Sequence, residues 1–387
     1  MKKKHPRVLY ASFDPVPSAK GASVRIQQFF TAIQKKYPGS QLVTLKGNFY
    51  QKKQDAENHH VFPLSHANFL QNADSFGKKI SFMIEKENWD VVHVRSIWEG
   101  MPAAFLKNEK KFKLVYEANG FPSMELKYHF PPLAQNKKLL NTLADEEKFC
   151  LENADIIITQ SETTKKYIVS LGISEEKIAV IQNGTYVQNR QPAKKPFTPF
   201  HVLYIGTFSP WQGIKTLLDA VALLKDEPVM LTLLGGGRKD LEKYWRKRAR
   251  NLGILDRVTF CEGIPYGKLP AFVQSHHCGA APLEAVDRNL EQGCCPIKIF
   301  DYMAEGLPVV ASRIPAVEEI LQDGKNALLH AAGQPQECAA RLKALLQNKR
   351  LYEKLSAAAH KTAKKFTWQK SAQKLLVCYE RLLDTRR

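Results

Sequence analysis

The residues best placed to do chemistry lie in one run, Cys295-Pro-Ile-Lys-Ile-Phe-Asp-Tyr-Met-Ala-Glu-Gly-Leu-Pro-Val-Val-Ala-Ser312. Pro296 reads as a helix start, because its ring presets φ and it leaves the following amides, from Ile297 on, pointing forward without intrahelical partners. Free amides at the positive end of a helix dipole form a seat for phosphate. Lys298 adds a cation in that first turn, where the dipole disfavours one, so a nearby anion is a physical reason for its presence. Asp301 follows one turn later on the same side and can accept from ribose hydroxyls. The plainer alternative is an ordinary capped helix with Lys298 and Asp301 solvated.

Two glycine turns offer weaker seats of the same kind. Val16-Pro-Ser-Ala-Lys-Gly-Ala-Ser23 follows a strand and opens a helix; Gly21 allows close backbone approach, and Ala22 and Ser23 present helix-start amides. Gly235-Gly236-Gly237 also follows a strand, but its spacing fails the dinucleotide fingerprint. The Gly263–Pro270 loop reads from its residues as a strand-to-helix connection. For each, a plain loop is the alternative. Glu117 and Asn119 end a strand in Glu117-Ala-Asn-Gly120, where Glu117 serves equally well as a structural cap. His93, inside a short apolar strand, reads as a core histidine.

Such residues need a scaffold, and the chain alternates short apolar or β-branched runs with longer helical patterns. Strands are expected at Val8–Phe13, Val91–Val94, Leu114–Ala118, Ile156–Thr159 and Ile178–Ile181, with helices such as Val24–Lys36, Leu139–Leu151 and Glu162–Leu171. Residues 188–199 break the pattern with three prolines and no periodicity, a linker. A second series follows at Val202–Ile205, Met230–Leu234, Val258–Cys261, Gly279–Ala281 and Val309–Ala311. The fold class is therefore α/β, with two tandem Rossmann-like domains whose ligands sit at the carboxyl ends of parallel strands. The expected boundaries are 1–187, linker 188–199, 200–366, and a last helix, 367–387. Its apolar stripe (Ala372, Leu375, Leu376, Tyr379, Leu382, Leu383) is left over once the second domain is complete, so it crosses back to the first.

At 387 residues, 44% hydrophobic and 25% charged, the chain is an ordinary two-domain globular composition. The net charge of +19 fits a phosphorylated substrate, an anionic membrane surface or nucleic acid. The densest basic run, Arg238–Arg250, reads as a solvated helix face. No aromatic or arginine stripe of a nucleic-acid reader is evident. Seven cysteines without a CxxC pair fit a reducing compartment, and no stretch of about 18 apolar residues is present. A cytoplasmic protein is the simplest expectation, with peripheral attachment to the inner face of the cell membrane.

The Cys295–Ser312 run closely resembles the donor-site signature of family-4 glycosyltransferases, retaining enzymes of the GT-B fold, in its variant (S/C)P-(L/I)-K-(L/I)-F-(E/D)-Y-M-A-x-G-x-P-V-V-A-S. The resemblance covers the whole chain. Ile181-Gln-Asn-Gly-Thr185 resembles the family's strand end before the linker, and Leu203–Ile214 its phosphate-side loop. It implies that Gly21, Ala22, Gly206, Thr207, Gln212, Ile297 and Lys298 bind the donor phosphates. Gly263, Ile264 and Asp301 would bind the nucleoside. Asn119 would stand for the histidine that often touches the donor sugar, with Glu117 as the second catalytic candidate. The chain departs from the pattern in three places. Of the family's carboxylate pair eight residues apart, the second is Asp301 and the first position is Gly293; Glu291 and Glu284 are out-of-register substitutes. The usual loop arginine and lysine are Thr207 and Gln212.

The resemblance implies a retaining transferase taking sugar from a nucleotide-diphosphate donor to a glycan or lipid-linked acceptor, without metal or other cofactor. Phe121–Lys138 mixes apolar residues with Lys127, Lys137 and Lys138 after a strand's carboxyl end, which suits a lipid-linked or membrane-surface acceptor; a loop folded onto its own domain is the alternative. Two rivals use the same features: a sugar-nucleotide epimerase of similar fold, and a basic nucleic-acid-binding protein.

Overall fold

The computed structural model describes residues 5–50, 58–65, 68–187 and 196–384. Contacts divide the chain into two units. The first takes the chain up to Ser18, Ala22–Gln182 and the chain from Gln369; the second takes Asn183–Trp368 with Ala19–Gly21. Residues 188–195 of the expected linker lie outside the described residues. Pro196 and Phe197, just beyond, pack on the second unit: the Pro196 carbonyl accepts from His277 Nε2 at 2.8 Å, and Phe197 stands edge-on to Phe200 and Tyr352.

The first unit's strands are β1 (Val8–Val16), β2 (Gln41–Lys46), β3 (His59–Phe62), β4 (Val91–Val94), β5 (Lys113–Ala118), β6 (Ile156–Thr159) and β7 (Ile178–Val180). They lie in the order β3-β2-β1-β4-β5-β6-β7, every pair parallel. Helices α1 (Gly21–Lys36), α2 (Phe69–Lys86), α3 (Ile97–Lys110), α4 (Pro122–His129), α5 (Lys137–Asn153) and α6 (Glu162–Ser170) connect them. Successive β1 side chains feed two different cores, as a period of two requires. Leu9 and Ala11 join Phe76, Ile80 and Val92 on one face; Val8 and Tyr10 join Ile26, Phe29 and Ile33 on the other. β2 and β3 are additional to the strands read from the sequence, and β3 (His-His-Val-Phe) is a half-exposed edge with little apolar signal.

The second unit repeats the plan. Its strands are β8 (Phe200–Thr207), β9 (Val229–Gly236), β10 (Val258–Glu262), β11 (Cys278–Ala281), β12 (Val309–Arg313) and β13 (Leu328–Ala331), in the all-parallel order β10-β9-β8-β11-β12-β13. The helices are α7 (Ile214–Ala222), α8 (Lys239–Asn251), α9 (Leu269–Gln274), α10 (Ile297–Ala304), α11 (Pro315–Glu318), α12 (Pro335–Gln347) and α13 (Lys349–Ala363). α8 carries the dense basic run. It buries Trp245 and Ala249, ties Arg248 to half-buried Asp219 of α7, and leaves Lys243, Arg246, Lys247 and Arg250 exposed, so most of the run is a solvated face.

The last helix, α14 (Trp368–Asp384), belongs to the first unit from Gln369 onward. Leu375, Cys378, Tyr379 and Leu382 share the core of Val8, Tyr10 and Phe29. Each fully buried leucine there contributes about 1.5–3 kcal/mol. Trp368 itself stays with the second unit, where its Nε1 donates to Tyr266 Oη at 3.2 Å. Residues 183–187, placed in the first domain by the sequence, likewise belong to the second, because Asn183 and Thr185 bond to Cys295 and Asp301 there.

Candidate functional site

In the second unit the strand order reverses at β8: the chain steps outward to β9 on one side and to β11 on the other. A crevice opens at the carboxyl ends of such strands, and the side chains that converge there define the site. Near their carboxyl ends β8 and β9 pair Gly206 with Gly235 and then Thr207 with Gly236. Gly206 and Gly235 hold left-handed backbone, φ +145° and +148°, and a Cβ on Gly235 would lie 1.9 Å from the Gly206 carbonyl oxygen. Only glycine fits this approach. Gly236 and Gly237 continue in the same region of φ, and Gly263 stands beside Gly235. Half-buried Ile264 packs against the neighbouring core.

α10 brings its side chains into this crevice because β11 makes room for it. A Cβ on Gly279 would sit 2.2 Å from the Tyr302 ring, and Tyr302 Oη accepts from the Ile205 amide at 2.8 Å. Lys298, in the first turn, is buried rather than solvated, at 8% exposure. Its Nζ donates to Gln212 Oε1 at 2.7 Å and lies 4.0 Å over the Tyr204 ring. Among the described residues it makes no ion pair. Burial, with repulsion from Arg288, pushes its ammonium down to about 7. Tyr204 Oη donates to the Thr207 carbonyl at 2.5 Å, tying the Thr207 loop to the same group. Gly206, Thr207, Gln212 and Lys298 are therefore one cluster, with Ile297 at the helix start beside it.

Asp301 is also buried, at 6% exposure, so the solvated alternative fails for both side chains. Its Oδ1 accepts from Tyr266 Oη at 2.9 Å and Thr185 Oγ1 at 3.1 Å. Burial pushes its carboxyl up to about 7 against those two hydrogen bonds. Glu284 is tied to Thr216 Oγ1 at 2.6 Å, and Glu291 points to solvent from a short π turn at Arg288–Gln292.

At the start of α1, Gly21, which groups with the second unit, and Ala22, which groups with the first, are half-buried, and Ser23 Oγ accepts from the Ser18 amide at 2.8 Å. Asn119, half-buried at the end of β5, accepts through Oδ1 from Gln160 Nε2 at 2.6 Å. Glu117 needs a correction: it is fully buried and faces the protein interior rather than a cleft. It accepts from Tyr10 Oη at 2.9 Å and Arg25 Nε at 2.6 Å, and lies 3.1 Å from His93 Nε2 and 3.3 Å from Arg95 Nε. Burial alone would raise its pKa, but Arg95 and Arg25 outweigh that and hold it well below the usual carboxylate range. Three hydrogen-bond partners and the Arg95 guanidinium enclose it, so it organises the interior instead of meeting a reactant. His93 is the core histidine expected, its pKa lowered by burial and its Nδ1 2.5 Å from Tyr379 Oη.

Sequence reasoning missed Tyr204, Tyr266 and the pair Arg25–Arg95. An arginine directly after a buried strand, Val91-Val-His-Val-Arg95, was the available signal for the last. In Phe121–Lys138, the prolines do divide two helices, and most apolar residues turn inward. Phe121 and Leu126 are buried and Met124 and Leu133 pack on the core, while Phe130, Lys137 and Lys138 are exposed. Among the described residues no cluster of His, Cys, Asp or Glu is arranged to hold a metal ion, and no helix is long and apolar enough to cross a membrane.

With this geometry in place, comparison with known proteins is informative. Residues 187–362 match the family model described as glycosyl transferases group 1, and residues 21–188 that of glycosyltransferase family 4. An uncharacterised glycosyltransferase of Methanocaldococcus jannaschii is 26% identical over 322 residues, covering 82% of this chain and 81% of its own. Sucrose-phosphate synthase from Thermosynechococcus elongatus superposes with a TM-score of 0.82 at 19% identity, covering 98% of this chain and 100% of its own. HepE of Anabaena, solved in complex with UDP and glucose, superposes with a TM-score of 0.77 at 18% identity, covering 97% and 100%. The two structures share the fold, tandem Rossmann-like domains.

Proposed function

This chain belongs to the family-4 glycosyltransferases, and from that premise we propose that it is a retaining hexosyltransferase using a nucleotide-diphosphate sugar. The acceptor is a glycan or lipid-linked glycan in polysaccharide or glycoconjugate assembly. One observation carries the donor half of the reading: Lys298 is buried at the carboxyl end of β8, its ammonium bonded to a neutral amide and set over an aromatic ring, with no ion pair among the described residues. An ammonium held there carries a desolvation cost that a diphosphate would offset. Gly206 and Gly235 leave backbone open beside it, and the first amides of α10 point the same way. Asp301, with Tyr266 beside it, is the acceptor suited to ribose hydroxyls, and the Gly263–Ile264 backbone to the base.

The chemistry then follows from the donor. The bond from the anomeric carbon to the phosphate oxygen breaks while the acceptor oxygen bonds to the same face, and the acceptor proton passes to the departing phosphate. The chain's part is to position both and stabilise the growing negative charge, which Lys298 and the glycine backbone are placed to do. This needs neither a metal nor a strong general base, and it accommodates the interior role of Glu117.

Exposed Phe130, Lys137 and Lys138 support a cytoplasmic enzyme that visits an anionic membrane surface, each lysine contributing about 1 kcal/mol near the headgroups. HepE makes UDP-glucose the first donor to try. Calorimetric titration of UDP and UDP-glucose tests the donor half, and absence of binding to any nucleoside diphosphate would overturn it. Flotation with anionic liposomes tests the membrane half; if a Lys127/Lys137/Lys138→Glu variant and the parent both stay down at low salt, the acceptor is soluble.

A further inference from the structure

The chain passes between its two units twice, after Gln182 and after Trp368, and within the second unit the two crossing segments lie side by side, Thr185 bridging Thr367. The Thr185 amide donates to the Phe366 carbonyl at 3.1 Å, and the Trp368 amide to the Thr185 carbonyl at 3.3 Å. A Cβ on Gly184 would stand 2.4 Å from the Trp368 nitrogen, so glycine is what allows this approach. Both segments then reach one carboxylate. Thr185 Oγ1 donates directly to Asp301 Oδ1 at 3.1 Å. Buried Trp368 reaches it through Tyr266, whose Oη accepts from the indole Nε1 at 3.2 Å and donates to the same Oδ1 at 2.9 Å.

Chemistry gives this relay a direction. An indole N–H can only donate. Burial, then the neighbouring Asp301, raise the Tyr266 phenol, so it keeps its single proton. With Trp368 on one Oη lone pair, that proton is left for Asp301, and the bond into Oη strengthens the bond out of it. Both donors go to Oδ1, while Oδ2 makes no hydrogen bond among the described residues. An aspartate kept only for structure would be served on both oxygens, because a buried acceptor without a partner is costly.

We propose that Trp368, Tyr266 and Thr185 are positioning residues of the donor site, which hold Asp301 by Oδ1 and leave Oδ2 for the ribose hydroxyls. The two crossing segments thus fix the nucleoside's acceptor from both sides, and Trp368 acts without touching the ligand. Ionisation is part of the same role. Burial raises the Asp301 carboxyl; the bonds from Tyr266 and Thr185 oppose that, and Glu305, just past α10 and bonded to Gln274, adds to it. The relay therefore keeps more of the carboxyl in the charged form, which accepts hydrogen bonds most strongly. The proposal rests on the donor reading, in which Asp301 meets the ribose.

The test uses the full chain with carbon-13 in its aspartate carboxyls. NMR titration without ligand follows Asp301, with Asp301→Asn to assign its signal, and calorimetry measures UDP and 2′-deoxy-UDP across the same pH range. Tyr266→Phe keeps the ring and drops the hydroxyl. Its Asp301 carboxyl should titrate at higher pH than the parent's, and the acid-side fall in UDP affinity should move up with it. At pH 7 it should bind UDP about tenfold more weakly, as loss of a charge-assisted hydrogen bond implies, and its preference for UDP over 2′-deoxy-UDP should shrink. Trp368→Phe loses the N–H and leaves Tyr266 in place; it should shift both titrations the same way by less, and it decides the matter if Tyr266→Phe fails to fold. A structural role alone would lower the melting temperature and move neither titration. An unmoved Asp301 titration in a chain that binds UDP would overturn the positioning role by itself. A moved titration in a parent that binds neither nucleotide, or both alike, would sink the ribose reading on which the proposal stands.

Discussion

Replacing Lys298 with methionine separates two consequences of its burial. In the free protein its ammonium is pushed down to about 7, so roughly half the molecules are charged at pH 7 and about 1% at pH 9. A diphosphate needs the charged form, so UDP affinity of the parent should fall about 50-fold between those pH values. Lys298→Met removes the charge altogether: UDP affinity at pH 7 should drop about 10- to 150-fold, the worth of a charge-assisted contact of about 1.5–3 kcal/mol. Its pH dependence above 7 should vanish. Stability moves the other way. Because the folded pKa lies below the unfolded value, the unfolded chain binds more protons between pH 7 and 10.5, and stability rises with pH across that window. At pH 7 the buried lysine therefore costs on the order of 4 kcal/mol relative to an unperturbed one. Methionine, of similar length and apolar, should hold the melting temperature or raise it. Calorimetric titration at pH 7, 8 and 9, with thermal unfolding at each, measures both effects. A parent whose UDP affinity is flat from pH 7 to 9, or a variant that binds UDP as the parent does, would refute the assignment of Lys298.

Asp301 supplies the acid limb of the same profile. Its carboxyl titrates at about 7, so UDP affinity of the parent should fall below pH 7 as it protonates, and Asp301→Asn should lower affinity at pH 7 and flatten that limb in the same titration. For stability the folded state keeps a proton that the unfolded chain has released between about 4 and 7; the parent should lose stability as pH rises through that window, and the variant should not. Glu117→Gln leaves Arg25 and Arg95 facing each other without their shared carboxylate, which should cost about 3–5 kcal/mol in urea unfolding; unchanged stability would show that Glu117 is no interior hub. Removing residues 369–387 uncovers the Val8, Tyr10 and Phe29 face and takes away Tyr379, the partner of His93 Nδ1, so the truncated chain should aggregate or melt lower. A truncation with the parent's melting curve would show the helix to be dispensable.

How far residues alone carry this protein can be judged element by element. Alternation of apolar runs with 3.6-residue patterns placed most of both sheets, because parallel strands buried on both faces need continuous apolar runs, whereas the boundary read after residue 187 missed that Asn183 and Thr185 bond within the second unit. The α10 run was legible for the same reason: Pro296, Lys298 and Asp301 sit at fixed helical offsets, and helix geometry is local. The leftover stripe of α14 told that it needed another surface, though not that Trp368 stays behind in the second unit. What periodicity could not reach was burial of charge. Glu117 sits at a strand end, where a sequence places a cleft residue, yet Tyr10, Arg25, His93 and Arg95 converge on it from β1, α1 and β4 and its end. For Asp301 and Lys298 the residues alone left the solvated alternative open beside the ligand-binding one; it is Thr185, Tyr266, Gln212 and Tyr204, all far away in sequence, that close over them. The same holds at Asp14, where a slip in strand register turns the carboxylate toward Arg95. Local sequence determines which elements form and which face each presents. Desolvation and ion pairing depend on what other elements bring within a few ångströms, so only the tertiary structure decided which charges are interior supports and which can meet a ligand.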